Sequence, residues 1–396
     1  MTVTVTTDGR AGYRVRRMPR RRLALLAGAI AVVLAAAAIA ARIWAGSWGG
    51  PAPRLDLPEH GLNLGIQDDQ LPVVPIRDIP ARLDRLASTG VRITRVDVLW
   101  SEVAPRRPRN AADPDDPAYR FGRYDRIVDG LARRGITPML NVYWSPAWAN
   151  GGRGVQWAPR PADLAAFLAA LATRYDGRRH ARVRMFEPWN EPNLAAFLRP
   201  QWVGPPGAEV PASPAIYAGL LRAAYDAVKR ARPDAVVIGV TGGPTNTDRP
   251  PDGAVGIMTF LRALAVLRPP MDAYGQHLYP ASGPAESVAV PSFRTLPELI
   301  AAADRVHSGL PVLITEFGWT TSASPYRTTH VSEAQQAEYL PKAVAALAGD
   351  PRVRLAMWFN LQDNPGWPAG LLRDDGTEKP SWTAMRAAIA ASGPGA

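Results

Sequence analysis

Eight short apolar runs alternate with eight longer stretches of helical periodicity, and this alternation constrains the fold more than any other feature of the sequence. Each run is a near-continuous series of apolar residues that ends in polar or aromatic ones, which is typical of strands buried in a parallel sheet. The runs lie at 61–67, 92–100, 137–144, 183–191, 235–242, 272–279, 311–319 and 354–363.

Helices are predicted between and after these runs. The clearest stretch, 162–175, has Leu164, Phe167 and Leu171 on one face. The others lie at 78–89, 124–134, 214–231, 255–265, 296–307, 332–348 and 381–391. This count predicts an α/β fold, the (β/α)8 or TIM barrel. A doubly wound open sheet is the alternative, but no Gly-rich phosphate loop follows the first strand, which removes the commonest use of that fold.

An apolar segment precedes the barrel. Residues 23–41 are uncharged, directly follow three arginines, and are long enough to span a bilayer at about 1.5 Å per residue. The positive-inside rule keeps the N-terminus in the cytoplasm. The length favours an uncleaved transmembrane anchor, and a signal peptide with a cleavage site near Ala38–Ala40 is the alternative. Both interpretations predict a main domain outside the cytoplasmic membrane, either attached to it or secreted.

The chain therefore divides into four predicted parts: a basic leader (1–22), a transmembrane or signal-anchor helix (23–45), a Gly/Pro linker (46–58) and the barrel domain (59–393). Residues 1–45 hold eight arginines and one acid, so most of the net charge of +11 lies outside the barrel. We therefore expect no nucleic-acid partner. The chain has no cysteine, and no two of its five histidines have metal-ligand spacing on one helix. We expect neither a metal nor an organic cofactor.

Two glutamates fall where the active site of such a barrel lies, at the C-terminal ends of the strands. Glu191 ends the fourth run, and Glu316 lies near the end of the seventh. A carboxylic acid and a carboxylate at one mouth suit cleavage of a glycosidic bond. Arg95 and Tyr279 are expected to hold Glu316 ionised. Glu187 competes with Glu191 for the acid role, but its place inside the strand favours a buried structural carboxylate.

Tryptophans also gather at the strand ends. Sugar rings stack on indole through their C–H faces, and polar side chains beside them bind the hydroxyls. We expect Trp144, Trp319 and Trp358 to contact a carbohydrate. Asp363 and Asn364, in a loop after the last strand, are further candidates for substrate contact.

Two segments make the sequence recognisable. Residues 186–193 (FEPWNEPN) and 313–319 (LITEFGW) resemble the motifs of strands 4 and 7 in clan A, the clan of retaining (β/α)8 glycoside hydrolases. Residues 370–376 resemble the loop that leads into helix 8. The chain is similar to family 39 and bacterial exopolysaccharide endoglycosidases, with family 5 next. Family 5 usually has a histidine at the end of strand 3, where this chain has Asn141-Val142-Tyr143-Trp144.

The resemblance implies roles for single residues. Glu191 would be the acid/base, Glu316 the nucleophile, and Asn190 the ligand of the sugar 2-hydroxyl. The other matching positions are Arg95, His277, Tyr279 and, under the sugar, Trp358. The implied reaction is hydrolysis of a β-linked polysaccharide or oligosaccharide with retention of configuration. A transglycosidase and a non-catalytic carbohydrate-binding barrel stay open, as do the sugar, endo or exo action, and the oligomeric state.

Overall fold

A computed structural model describes Leu55, Leu57 and residues 61–392. The predicted leader and anchor helix lie outside the described residues, as does nearly all of the linker. Within the described part of the chain, no helix is both long enough and apolar enough to cross a bilayer.

Eight parallel strands form a nearly closed barrel. They are β1 (Asn63–Gln67), β2 (Ile93–Leu99), β3 (Thr137–Tyr143), β4 (Met185–Glu187), β5 (Val236–Gly242), β6 (Ala273–Leu278), β7 (Val312–Phe317) and β8 (Val353–Phe359). Hydrogen-bonded pairing runs in the order β1-β8-β7-β6-β5-β4-β3-β2. At the remaining seam, between β1 and β2, the Thr94 hydroxyl donates a 2.6 Å hydrogen bond to the carbonyl oxygen of Ile66.

One long helix follows each strand, which confirms the predicted alternation. The helices are α1 (Ile79–Ala87), α2 (Gly122–Ala132), α3 (Pro161–Arg174), α4 (Ser213–Ala231), α5 (Ile257–Leu267), α6 (Leu296–Asp304), α7 (Glu333–Ala348) and α8 (Pro380–Ala391). Five of them carry a proline in the first turn, where its fixed φ fits and no hydrogen bond is lost. Ser332 and Gln335 form a capping box at the start of α7.

The interior of the barrel has an apolar layer beneath a polar one. The apolar layer consists of Ile93, Met139, Met185, Val236, Ile238, Ala273, Leu313, Leu355 and Met357. Side chains alternate along a strand, so every second residue after these also points inward. On β2 and β4 those next positions are Arg95 and Glu187, both fully buried. The mouth of the barrel is therefore lined by polar and charged groups.

Candidate active site

A β-bulge turns Glu316 toward the mouth. Leu313 points into the barrel, so simple alternation along β7 would turn Glu316 away from it. The pairing with β6 skips one residue, because Gln276 lies opposite Ile314 and His277 lies opposite Glu316. The additional residue, Thr315, reverses the alternation, which is a common device beside active sites.

Both oxygens of Glu316 are hydrogen-bonded. Arg95 Nη1 lies 2.5 Å from Glu316 Oε1, and the Tyr279 hydroxyl donates to Oε2 over 2.6 Å. His277 Nδ1 lies 3.4 Å from the same Oε2. A cation and a neutral donor therefore orient this carboxylate from two sides.

Glu191 lies beyond the end of β4, in the loop that follows it. The strand ends at Glu187, four residues earlier than the predicted run. Glu191 has a φ of +37°, a backbone conformation that is uncommon for a residue with a side chain. Such conformations persist where the surrounding structure holds them, often at functional sites. His277 Nδ1 lies 2.8 Å from Glu191 Oε1. The same ring nitrogen faces Glu316, so His277 connects the two glutamates.

The two glutamates are close neighbours. One carboxylate oxygen of Glu191, one of Glu316 and a ring nitrogen of His277 all lie within 4.8 Å of one another. These three residues could also hold a metal ion. An ion bound there would compete with Arg95 and Tyr279, which already occupy the oxygens of Glu316.

Arg95 is the centre of the polar layer, and its side chain is fully buried. Its guanidinium Nε lies 2.5 Å from Glu187 Oε2, and Nη2 donates to Asn190 Oδ1 over 2.7 Å. Nη1 also donates to Gln67 Oε1 over 2.9 Å and lies 3.3 Å from Asp97 Oδ1. Burial disfavours the charge of Arg95, but the charges of Glu187, Asp97 and Glu316 outweigh it and raise the pKa.

The two glutamates differ in what surrounds them. Burial raises the pKa of Glu191 to about 8, against a smaller opposing effect of Arg95. Burial also raises the pKa of Glu316, while the charges of His277 and Arg95 oppose the rise. Arg95 and Tyr279 both contact Glu316, and it stays a prediction that they hold this carboxylate ionised. Burial lowers the pKa of His277.

The structure corrects two of the predicted sugar contacts. Trp358 lies at a position of β8 that points away from the barrel interior, and it has no exposed surface. Its indole N–H donates to the Ala369 carbonyl, and its ring packs on Phe317. Trp319 is 1% exposed and donates to the Ser282 carbonyl. Neither ring has a face on which a sugar could stack.

Two other aromatic residues face the site instead. Phe359 follows Trp358 and points inward, with its ring centroid 6.3 Å from that of Tyr279. The ring of Trp367 lies 4.9 Å from Tyr279, and its Nε1 is buried without a hydrogen-bond partner among the described residues. Strand alternation could have identified Phe359, because Leu355 and Met357 point inward. Trp367 lies in a loop, where no periodicity marks it.

The remaining candidates lie near the mouth with distinct contacts. Trp144 directly follows β3, is half-buried, and contacts the ring of Tyr143 at 5.3 Å. The Asn364 side-chain oxygen accepts hydrogen bonds from the backbone of residues 366 and 367, which fixes the loop that carries Trp367. Asp363 pairs with Lys379 at 2.7 Å, so it holds this loop to the barrel.

Comparisons with known proteins identify the chain as a glycoside hydrolase. The model of the cellulase family, glycosyl hydrolase family 5, matches residues 74–360. A thermostable beta-glucosidase B of Thermobispora bispora is 36% identical over 137 residues, which cover 34% of this chain and 27% of that protein. A beta-xylosidase of Geobacillus stearothermophilus is 28% identical over 256 residues, 58% of this chain and 46% of that protein. The chain thus matches about a quarter and about half of the length of these relatives.

The fold is shared with solved structures. A family 39 glycoside hydrolase of the gut symbiont Bacteroides cellulosilyticus WH2 superposes with a TM-score of 0.55 at 23% identity. The match covers 84% of this chain and 64% of that one. At this level of identity, the similarity supports only a shared barrel fold.

Proposed function

The chain belongs to the cellulase family, glycosyl hydrolase family 5, and from this premise we propose that it is a retaining β-glycosidase that hydrolyses O-glycosyl bonds. The observation that carries the proposal is the close approach of the two glutamates, because one carboxylate oxygen of Glu191 lies within 4.8 Å of one carboxylate oxygen of Glu316. Carboxyl groups lie about 5–5.5 Å apart in retaining enzymes, against about 6.5–9.5 Å in inverting ones, which need room for a water molecule.

The reaction has two displacements. Glu316 attacks the anomeric carbon, the C–O bond breaks, and its electron pair leaves with the departing oxygen, which takes the proton of Glu191. Glu191, now a carboxylate, then removes a proton from water, which attacks the anomeric carbon and releases Glu316.

The surroundings of the glutamates support this division of roles. Arg95 and Tyr279 both donate to Glu316, which favours its ionised form and aligns it for attack. Glu191 lacks these donors, and its pKa of about 8 keeps it protonated at neutral pH. Two carboxyl groups with different environments are the usual basis for separate acid and nucleophile roles.

Asn190 and the mouth aromatics fit a sugar. Asn190 Oδ1 accepts from Arg95, and its amide nitrogen has no partner among the described residues. This leaves the nitrogen to donate to the sugar 2-hydroxyl. Phe359, Trp367 and Trp144 supply apolar faces for the ring. The relatives are named for glucosides and xylosides, so we propose an equatorial β-linked pyranoside such as a β-glucoside or β-xyloside as substrate.

The test is hydrolysis of aryl β-glycosides and β-linked oligosaccharides by residues 47–396, with Glu316→Gln as the matched variant. We expect turnover by the wild type, near-complete loss in the variant, and a first-formed β-anomer by proton NMR. A first-formed α-anomer, or equal activity in the variant, would contradict the proposal. Transfer to an added sugar in preference to water would identify a transglycosidase.

We also propose that the barrel lies outside the cytoplasmic membrane, because the arginines before residue 23 favour translocation of the chain after the apolar segment. A C-terminal alkaline phosphatase fusion should be active, and a C-terminal green fluorescent protein fusion dark. The reverse result would contradict this orientation.

A further inference from the structure

A single guanidinium serves two buried carboxylates. Arg95 Nε lies 2.5 Å from Glu187 Oε2, and Arg95 Nη1 lies 2.5 Å from Glu316 Oε1. The side chains of Arg95 and Glu187 have no exposed surface, whereas that of Glu316 is 10% exposed. Glu187 therefore lies below the mouth, on the far side of Arg95 from the position of a substrate.

Burial of the Glu187 carboxylate below the mouth of the barrel costs folding free energy. Its second oxygen, Oε1, is buried and has no hydrogen-bond partner in the described part of the chain. A buried carboxylate oxygen without a partner costs free energy that an amide or apolar side chain of similar shape would reduce. A single ion pair with Arg95 could be supplied by Glu316 alone, so stability does not account for this second carboxylate.

The charge of Glu187 changes the electrostatic potential at Glu316. The attraction between Arg95 and Glu316 is partly cancelled by the negative charge of Glu187, and screening by solvent is weak at full burial. The charge of Glu187 also reaches His277, which lies between the two catalytic glutamates. Tyr217 on α4 also interacts electrostatically with Glu187, and Asp97 on β2 lies 3.3 Å from the same guanidinium of Arg95.

We propose that Glu187 is a positioning residue that acts through Arg95 to set the pH range in which Glu316 is ionised and Glu191 is protonated. This inference rests on the proposed function, because it takes Glu316 as the nucleophile and Glu191 as the acid. Glu187 does not touch the reacting atoms. It determines how much of the Arg95 charge is available to Glu316.

The test is the pH profile of kcat/KM for Glu187→Gln, which keeps the shape of the side chain and removes its charge. Loss of a neighbouring negative charge makes both catalytic carboxyl groups easier to ionise. Both limbs of the profile should therefore move to lower pH, the acid limb by about one unit. A lower activity at every pH with both limbs unmoved would mean that Glu187 only supports the fold, and would overturn the inference.

Two further variants complete the design. Glu187→Asp retains the charge and should return both limbs toward the wild-type positions. Gln67→Glu places a carboxyl group beside Arg95 Nη1, from which Gln67 Oε1 now accepts at 2.9 Å, and beside Asp97 Oδ2, to which Gln67 Nε2 now donates at 3.0 Å. Once ionised, this group should move both limbs to higher pH. This variant decides between the two outcomes if Glu187→Gln shows no cooperative thermal unfolding, and unmoved limbs would again overturn the inference.

Failure of the inference is distinct from failure of the proposed function. Wild-type hydrolysis that Glu316→Gln abolishes, together with unmoved limbs in the Glu187 and Gln67 variants, would remove the inference alone. Absence of any Glu316-dependent hydrolysis would remove the proposed function, and the inference with it.

Discussion

The Tyr279 hydroxyl donates a 2.6 Å hydrogen bond to Glu316 Oε2, and both side chains are buried. The opposite oxygen of the same carboxylate takes Arg95 at 2.5 Å. A carboxylate held from both sides loses little further freedom when a substrate arrives, which is what a nucleophile in a covalent displacement requires.

Replacing Tyr279 by phenylalanine should impair the nucleophile. Because the hydroxyl favours the ionised carboxylate, its loss should raise the pKa of Glu316 and move the acid limb of kcat/KM to higher pH. We expect kcat/KM at the optimum to fall about 10- to 100-fold. An acid limb at the wild-type position would argue against this role of the hydrogen bond.

Tyr274→Phe is the matched control. Its hydroxyl donates to Gln276 Oε1, away from the catalytic glutamates, and both of these residues are buried. This variant should lower the melting temperature and leave the acid limb in place.

Replacing Glu191 by glutamine should affect substrates according to their leaving groups. A sugar leaving group needs a proton, whereas dinitrophenolate departs without one. Hydrolysis of a β-linked disaccharide should fall at least about 100-fold. Formation of the glycosyl-enzyme from a dinitrophenyl glycoside, measured as a burst, should remain close to the wild-type rate. Equal losses on both substrates would contradict the acid role.

The pH dependence of activity follows from the same residue. With a pKa of about 8, Glu191 loses its proton as the pH rises through that value, so kcat/KM should fall on the basic side near pH 8. In Glu191→Gln the basic limb should disappear for a dinitrophenyl substrate. Its persistence at the same pH would assign the limb to another group.

Stability should depend on pH in a related way. The carboxyl group of Glu191 has a pKa of about 8 in the folded chain, against an ordinary glutamate value of 4.5. Between these values the unfolded chain binds fewer protons than the folded one. Stability from this group is present below pH 4.5 and is lost as the pH rises toward 8. Glu191→Gln should therefore melt higher than the wild type by roughly a few degrees at pH 8 and by less at pH 5. A gain that does not change with pH would contradict this linkage.

Replacement by phenylalanine should have different effects on KM and on the melting temperature at Trp367 and at Trp358. Trp367→Phe removes an N–H that has no protein partner among the described residues, so we expect KM to rise about 3- to 10-fold with little change in melting temperature. Trp358→Phe removes a buried hydrogen bond to Ala369 and packing volume, and should lower the melting temperature without raising KM. The opposite pattern would restore Trp358 as the sugar contact.

Much of the barrel is readable from the sequence because the two periodicities, of strands and of helices, differ strongly. Every predicted run overlaps an observed strand, and every predicted helical stretch overlaps an observed helix. The sequence motifs also predict the family of the chain. The resemblance to clan A is confirmed, and the family whose model matches is family 5, the second of the two that the motifs suggested. The asparagine at position 141 therefore does not exclude this family.

The details of the mouth were harder to predict, since they depend on which side of a strand a residue faces. Trp358 and Phe359 are adjacent aromatic residues on opposite sides of β8. A prediction that is wrong by one position therefore selects Trp358, which packs in the core, instead of Phe359, which faces the site. The bulge at Thr315 reverses the inward and outward alternation of side chains on β7, and no residue type in that run predicts a bulge. Trp367 and the sharing of Arg95 between Glu187 and Glu316 arise from loop and tertiary contacts that a linear pattern does not contain.

The central claim is that Glu316 forms a covalent bond to the sugar, and trapping that intermediate tests it most directly. The wild-type protein should be incubated with dinitrophenyl 2-deoxy-2-fluoro-β-glucoside and the matching β-xyloside, then digested and sequenced by mass spectrometry. We expect one fluoroglycosyl group on Glu316, time-dependent loss of activity, and no adduct in Glu316→Gln. An adduct on Glu191, or no adduct in a protein that hydrolyses the parent glycoside with inversion, would contradict the account.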